Sequence, residues 1–137
     1  MNRIDLQQLA EARVEEARLL FGAKKFDGAY YLAGYAVEFA LKACIAKLTD
    51  QHDLYNKNIA NECFNHQPNT LVKIAGLRPQ LDADMKSDLV LKSNWGVACT
   101  WTESSRYDWN SEADADALLK AITDPVHGVL QWIRIHW

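Results

Sequence analysis

Residues 22–47 read GAKKFDGAYYLAGYAVEFALKACIAK, and this stretch decides the fold. From Gly28 to Leu48, apolar or small residues recur at helical spacing: Tyr30, Gly34, Val37, Leu41, Cys44 and Leu48. A second set, Tyr31, Tyr35, Phe39 and Ala43, covers a neighbouring face. A helix apolar over so much of its circumference needs more than one neighbour to bury it. It is therefore expected to be the central helix, or to face another subunit. Ala29, Ala33, Gly34, Ala36 and Ala40 are small enough to let another helix approach closely. Asp27, in the joint Phe26-Asp27-Gly28, is placed to cap this helix through its carboxylate.

Upstream, Leu6, Ala10, Val14, Ala17 and Phe21 predict a first helix from Asp5 to Ala23, with Leu9 and Leu20 widening the stripe and Gly22 near its end. Downstream, residues Thr49–Asn69 are polar and interrupted by His52, Asn56, Asn58, Asn61, His66 and Pro68, and read as a loop. Its length suggests an insertion or a functional loop. A short helix, Leu71–Ala75, ends at Gly76. A further helix is expected over Gln80–Ser93 with Leu81, Met85, Leu89 and Val90 inward, then a loop from Gly96 to Asn110. Ser111 and Asp114 resemble a capping box with Asp in the Glu position, opening a helix that carries Ala113, Ala117, Leu118, Ala121 and Ile122. Pro125 interrupts it, and Asp124-Pro125 suits the start of another helix, through Val129, Leu130, Trp132 and Ile133. No alternating pattern of period 2 argues for a strand, so the fold class is all-α.

The 137 residues fit one domain. Lys plus Arg is 15 against 18 Asp plus Glu, a net charge of −3, so no global basic field serves nucleic acid and any RNA contact must use a local patch. Cys44, Cys63 and Cys99 are odd in number and form no CxxC pair, which suits free thiols in a reducing compartment. The first residues, MNRIDLQQLAEARVEE, lack the apolar core of a signal peptide, and no run is long enough for a membrane span. A cytoplasmic location with no membrane partner is the expectation.

Three segments together resemble the bacterial HEPN family. They are the stretch quoted above, NHQPNTLVKIAGL at residues 65–77, and the pair WTESSRYDW and HGVLQWIRIHW at residues 101–109 and 127–137. The first is the most specific, combining Tyr-Tyr-Leu-Ala-Gly-Tyr with Glu38 and Lys42. The resemblance implies an up-and-down bundle of four to five helices over residues 1–137, often dimeric. It also implies RNA cleavage, nucleotide binding, or work beside a nucleotidyltransferase in toxin–antitoxin and defence systems. Many HEPN ribonucleases carry Arg, four to six residues, then His. No arginine here has that partner: Arg106 meets Ser111, Glu112 and Ala113 at the required offsets. This departure puts ribonuclease activity in question and leaves the fold inference intact.

Glu38 and Lys42 stand four apart with the acid first, the favourable order for a helical ion pair. Among tyrosines and Phe39 the pair is expected to be partly desolvated and to need partners, with Arg106 the expected third member. It reads either as a polar cluster at a cleft or as a structural network orienting the helices. Glu103, Arg106 and Tyr107 sit between Trp101 and Trp109. The arginine suits a phosphate and the aromatics suit bases; equally, the tryptophans suit plugging the bundle end. His66 matches a His in the family's second segment and is a candidate general base, or a residue that packs on the following helix. Candidate catalytic residues are thus Arg106, His66 and Tyr107. Candidate ligand contacts are Arg106, Tyr107, Glu103, Glu38, Lys42, Trp101 and Trp109. Cys63 and His66 have CxxH spacing without a second ligand pair, so no metal is expected, and no motif for a cofactor is present. The expected function is RNA or nucleotide binding by a dimer, with a metal-independent endoribonuclease of divergent site as the alternative.

Overall fold

The structure, a computed structural model, describes residues 1–52 and 64–137. Seven α-helices and one 3-10 helix occur among the described residues. They are α1 (Arg3–Gly22), α2 (Phe26–His52), α3 (Pro68–Ile74), α4 (Arg78–Ser87), α5 (Leu89–Cys99), the 3-10 helix (Glu103–Tyr107), α6 (Glu112–Thr123) and α7 (Val129–His136). The fold is an all-α bundle: α1, α2, α5, α6 and α7 pack side by side, and the short α3 and α4 link α2 to α5. Asn56, Asn58, Asn61 and Cys63, part of the expected 49–69 loop, lie outside the described residues. No described helix is long and apolar enough to cross a membrane.

Helix α2 is central, as its two apolar faces require. It packs against α1, α3, α6, α7 and the 3-10 helix. Ala29, Ala33, Ala36, Val37, Ala40, Leu41, Ala43, Cys44 and Ile45 are all buried along it. Alanines line the closest approach from both sides, with Ala10 and Ala17 of α1 fully buried as well. Short side chains let the two backbones come close, and the turn between them has only three residues, 23–25. That turn ends α1 in a Schellman arrangement: Lys24 N–H donates to the Phe21 carbonyl and Lys25 N–H to that of Leu20. The left-handed position is Lys24, at φ 60, rather than a glycine; Gly22 sits two residues too early to fill it. At the end of α3 the same arrangement does use glycine, Gly76 at φ 72.

Several expectations are corrected. Asp27 does not cap α2; it lies inside the first turn, and its carboxylate accepts the Asn110 N–H from the far side of the sequence. The single helix expected over 80–93 is two. Asp88 adopts an extended backbone, its N–H closes α4 on the Asp84 carbonyl, and its carboxylate accepts Leu91 N–H to open α5. The break changes the phase of the stripe, so Leu89 and Val90 face outward (70% and 48% exposed) while Leu91, Trp95 and Ala98 are buried. Gly96 does not end a helix; α5 runs through it to Cys99.

The Ser111–Asp114 capping box forms as read. Helix α6 stops at Asp124, but Asp124 caps a turn rather than a helix: its carboxylate accepts the Val126 and His127 N–H groups, and α7 begins only at Val129. Gly128 N–H returns to the Asp124 carbonyl so tightly that a Cβ at position 128 would stand 2.3 Å from that oxygen, which explains the glycine. The turn is tied to the α4–α5 junction by His127 Nδ1 on Asp88 Oδ2 at 2.7 Å, and by Asn94 donating to the His127 carbonyl.

This clasp has a pH signature. The hydrogen bond to Asp88 raises the His127 pKa above 6.5, and that to His127, followed by the Leu91 N–H, lowers the Asp88 pKa below 3.8. The histidine contribution is complete below 6.5 and is lost as pH rises through the raised value. The aspartate contribution is complete above 3.8 and is lost as pH falls through the lowered value. The stabilising effect therefore peaks between 3.8 and 6.5. Thermal melts of the wild type and His127→Ala should differ most in that window and converge at alkaline pH; a difference independent of pH would contradict the assignment.

Candidate functional site

Glu38 lies in the middle of α2 and is 2% exposed. Its Oε1 accepts from Lys42 Nζ at 2.7 Å and pairs with His66 Nδ1 at 2.9 Å. The i,i+4 ion pair read from the sequence is thus present and largely desolvated. Its third member is His66, not Arg106. An ionised carboxylate can only accept, so His66 carries a proton on Nδ1 and turns Nε2 outward. Nε2 stands 3.9 Å from Glu103 Oε2. Pro68, buried at the start of α3, fixes the entry of the segment that delivers His66.

The Trp101–Asn110 segment closes over the same face of α2. The Trp101 indole is 1% exposed and lies flat against Gly34, where an added Cβ would fall 2.1 Å from the ring. Its ring stands edge-on to Tyr35, with centroids 5.0 Å apart. Tyr35 in turn meets Tyr31 at 5.0 Å, edge-on, and His66 at 6.4 Å. Burial, and then the hydrogen bond with the Tyr31 hydroxyl, push the Tyr35 pKa up, so its hydroxyl stays protonated. At the other end, Asp27 holds the Asn110 N–H. The segment is therefore fastened to α2 at two points, one aromatic and one charged.

Between these fastenings the chain turns outward. Arg106 is exposed, its guanidinium 4.7 Å from the centroid of the Tyr107 ring. Tyr107, and less strongly Tyr31, raise the Arg106 pKa above its ordinary value. Tyr31 is the α2 side chain that acts on Arg106. Glu38 is seven residues further on, about 10 Å along the helix axis. Tyr107 is 75% exposed and Trp109 93% exposed. The two tryptophans take the two roles that the sequence left open: Trp101 plugs the bundle and Trp109 stands in solvent.

Glu38, Lys42, His66 and Glu103 are therefore brought together, while Arg106, Tyr107 and Trp109 form a separate outer face of the same segment. Four buried polar atoms of this region have no hydrogen-bond partner among the described residues: Glu38 Oε2, Trp101 Nε1, Ser105 Oγ and Asn110 Nδ2. Buried polar groups are normally paired, so ordered water or a bound group is the expected partner. Among the described residues no cluster of three or more His, Cys, Asp or Glu is placed to hold a metal.

Sequence reasoning took Tyr31 and Tyr35 as core and interface, Gly34 as a point of close approach for another helix, and Ser105 as a hydroxyl donor beside Arg106. The signal for a place in the site was present for two of them: Tyr31, Tyr35, Glu38 and Lys42 lie on one stripe at spacings of four, three and four. Ser105 carries no such signal, since its burial follows from the seating of Trp101.

Residues 5–64 match the family model described as HEPN domain. The match covers fewer than half of the 137 residues. It takes in Glu38 and Lys42, and ends before His66 and the Trp101–Asn110 segment. No curated protein and no solved structure matches the chain.

The seating of Trp101 on Gly34 gives a direct test. Gly34→Ala forces the indole off α2 and should lower stability by about 1–3 kcal/mol in urea unfolding, the usual penalty of overpacking. Indole signals of Trp101 and Trp109 should shift together in NMR spectra. Unchanged stability with unchanged signals would show that the ring does not rest there.

Proposed function

We propose that this protein is a HEPN-type module that binds RNA or a nucleotide on the outer face made by Arg106, Tyr107 and Trp109. The observation that carries the reading is the exposure of two aromatic rings beside an arginine on a segment fastened at both ends. An exposed aromatic ring on a backbone anchored at both ends offers a stacking face for a base. Arg106 adds a charge of the right sign for phosphate, in a chain whose net charge is −3. The match of residues 5–64 to the HEPN domain supports the same class of ligand.

The finer parts of the reading rest on the family resemblance. They are a homodimer, a cytoplasmic location, and a nucleotidyltransferase partner within a toxin–antitoxin or defence system. They follow from no distance within this chain.

A second reading is favoured by one observation, the pairing of His66 Nδ1 with the buried carboxylate of Glu38. A histidine oriented in this way can exchange a proton through Nε2, as a metal-independent endoribonuclease requires, with Arg106 stabilising the phosphate and Tyr107 assisting. The Glu103 carboxylate in front of Nε2 opposes the approach of a phosphodiester, and for that reason we place binding first.

Titration with a single-stranded RNA oligonucleotide and with nucleoside triphosphates, followed by tryptophan fluorescence, tests both. Binding should weaken about tenfold in Trp109→Ala or Tyr107→Ala, in keeping with the loss of one stacked base. Arg106→Ala should weaken it and flatten its salt dependence. Binding of neither ligand would overturn the proposal. RNA cleavage that is lost in both His66→Ala and Arg106→Ala would move the second reading to first place; equal background cleavage by all three proteins would remove it.

A further inference from the structure

Away from the 101–110 segment, a shallow groove of about 260 Å³ lies where the α4–α5 junction meets α7. Its lining includes Val126 and Ile135, which are 72% and 70% exposed, and Trp132, which is buried. Leu89, next to the lining residue Asp88, is 70% exposed. Exposed aliphatic side chains scattered singly over a surface need no explanation, but here two of them, Val126 and Ile135, line one depression. Its carboxylates are Asp84 and Asp88, of which Asp88 is already paired with His127, and no lysine or arginine lines it. Asp84 is held by neutral donors, Trp132 Nε1 at 2.8 Å and Gln80 Nε2 at 2.9 Å, and no described cation forms a salt bridge with it. These bonds fix the carboxylate without cancelling its charge. Ile135 also borders a second depression of about 300 Å³ with Leu48 and Leu77, so it stands as a ridge between two hollows.

We propose that this groove is a docking site for an amphipathic helix of another protein, one that carries aliphatic side chains on its inner face and Lys or Arg along one edge. Aliphatic residues at helical spacing would straddle the Ile135 ridge and cover Val126 and Leu89, as helices do in apolar grooves. The basic edge would face Asp84 and Asp88; Asp84 has no cationic partner among the described residues. Charge complementarity of this kind sets the register and selects against acidic partners. The occupant is identified by this chemistry and not by the ligand proposed for Arg106, so the two surfaces can be tested apart.

The probe is a helical peptide patterned in Leu and Lys, with a Leu and Glu peptide of the same pattern as its control, titrated against the full chain by calorimetry. The Leu/Lys peptide should bind and the Leu/Glu peptide should not. Ile135→Asp should weaken binding about tenfold, as loss of a central apolar contact does. Asp84→Asn, which keeps an acceptor for Trp132, should weaken it several-fold and reduce its salt sensitivity. Leu19→Asp, at an exposed leucine of α1, should leave it unchanged. Circular dichroism of each variant guards against loss of the fold. Equal binding of both peptides, or equal affinity of Ile135→Asp and Leu19→Asp, would overturn the proposal. So would a dimer of the free protein that Ile135→Asp dissociates, since the groove would then be filled by a second copy.

Discussion

One ionised carboxylate, buried inside the longest described helix, constrains everything around it. Glu38 occupies a position where the helix is otherwise alanine, valine and tyrosine. Removing such a group from water costs several kcal/mol, and the fold must return that through hydrogen bonds and opposite charge. Lys42 supplies the charge from one turn away, and His66 supplies a second donor from beyond the 53–63 stretch. The histidine reaches it from the residues just before α3, 28 positions along the chain from Glu38. The position of α3, and with it the course of the chain toward α5, is thereby coupled to one acid. Truncating Glu38 alone leaves Lys42 desolvated without a partner, which is why the pair is better understood as a specifier of arrangement than as a source of net stability.

The segment over this hub is built on a different principle. Its inner half is aromatic and tightly seated, because Gly34 offers a flat patch of backbone that only a residue without Cβ provides. Its outer half presents Arg106, Tyr107 and Trp109 to water. Rigid anchoring inside and chemical display outside are the two halves of a recognition loop, and the same ten residues perform both. The match to the HEPN domain ends at residue 64, so the chemistry displayed here is a property of this chain's later part and must be argued from its own geometry.

Much of the architecture was legible because helical periodicity survives in sequence. The central helix announced itself through two apolar faces, and the Ser111 box and the break at Pro125 through local chemistry. The misses have a common cause. Asp27 and Asp124 were read as helix caps and Asp88, which does cap α5, was not, because a carboxylate's partner is fixed by what the fold brings near. Asp27 found a backbone N–H 83 residues away, Asp88 gained His127, and Asp124 closed a turn instead of a helix. For the site, the ion pair of Glu38 and Lys42 was visible at i,i+4 spacing, whereas the choice between His66 and Arg106 as its third member depended on a long-range return of the chain. Pattern within one helix cannot decide that. Nor could it divide the tryptophans, since Trp101 and Trp109 differ only in which of them meets Gly34.

The central claim is that a buried, charged Glu38 holds His66 through Nδ1, and the ring's nitrogen chemistry reports on it directly. Nitrogen-15 NMR of the histidine rings, in the wild type and in Glu38→Gln, distinguishes the two tautomers of neutral imidazole. The account predicts that neutral His66 carries its proton on Nδ1 in the wild type, and that the preference disappears when the carboxylate becomes an amide. A wild-type His66 protonated on Nε2 alone, or one indifferent to the substitution, would contradict it.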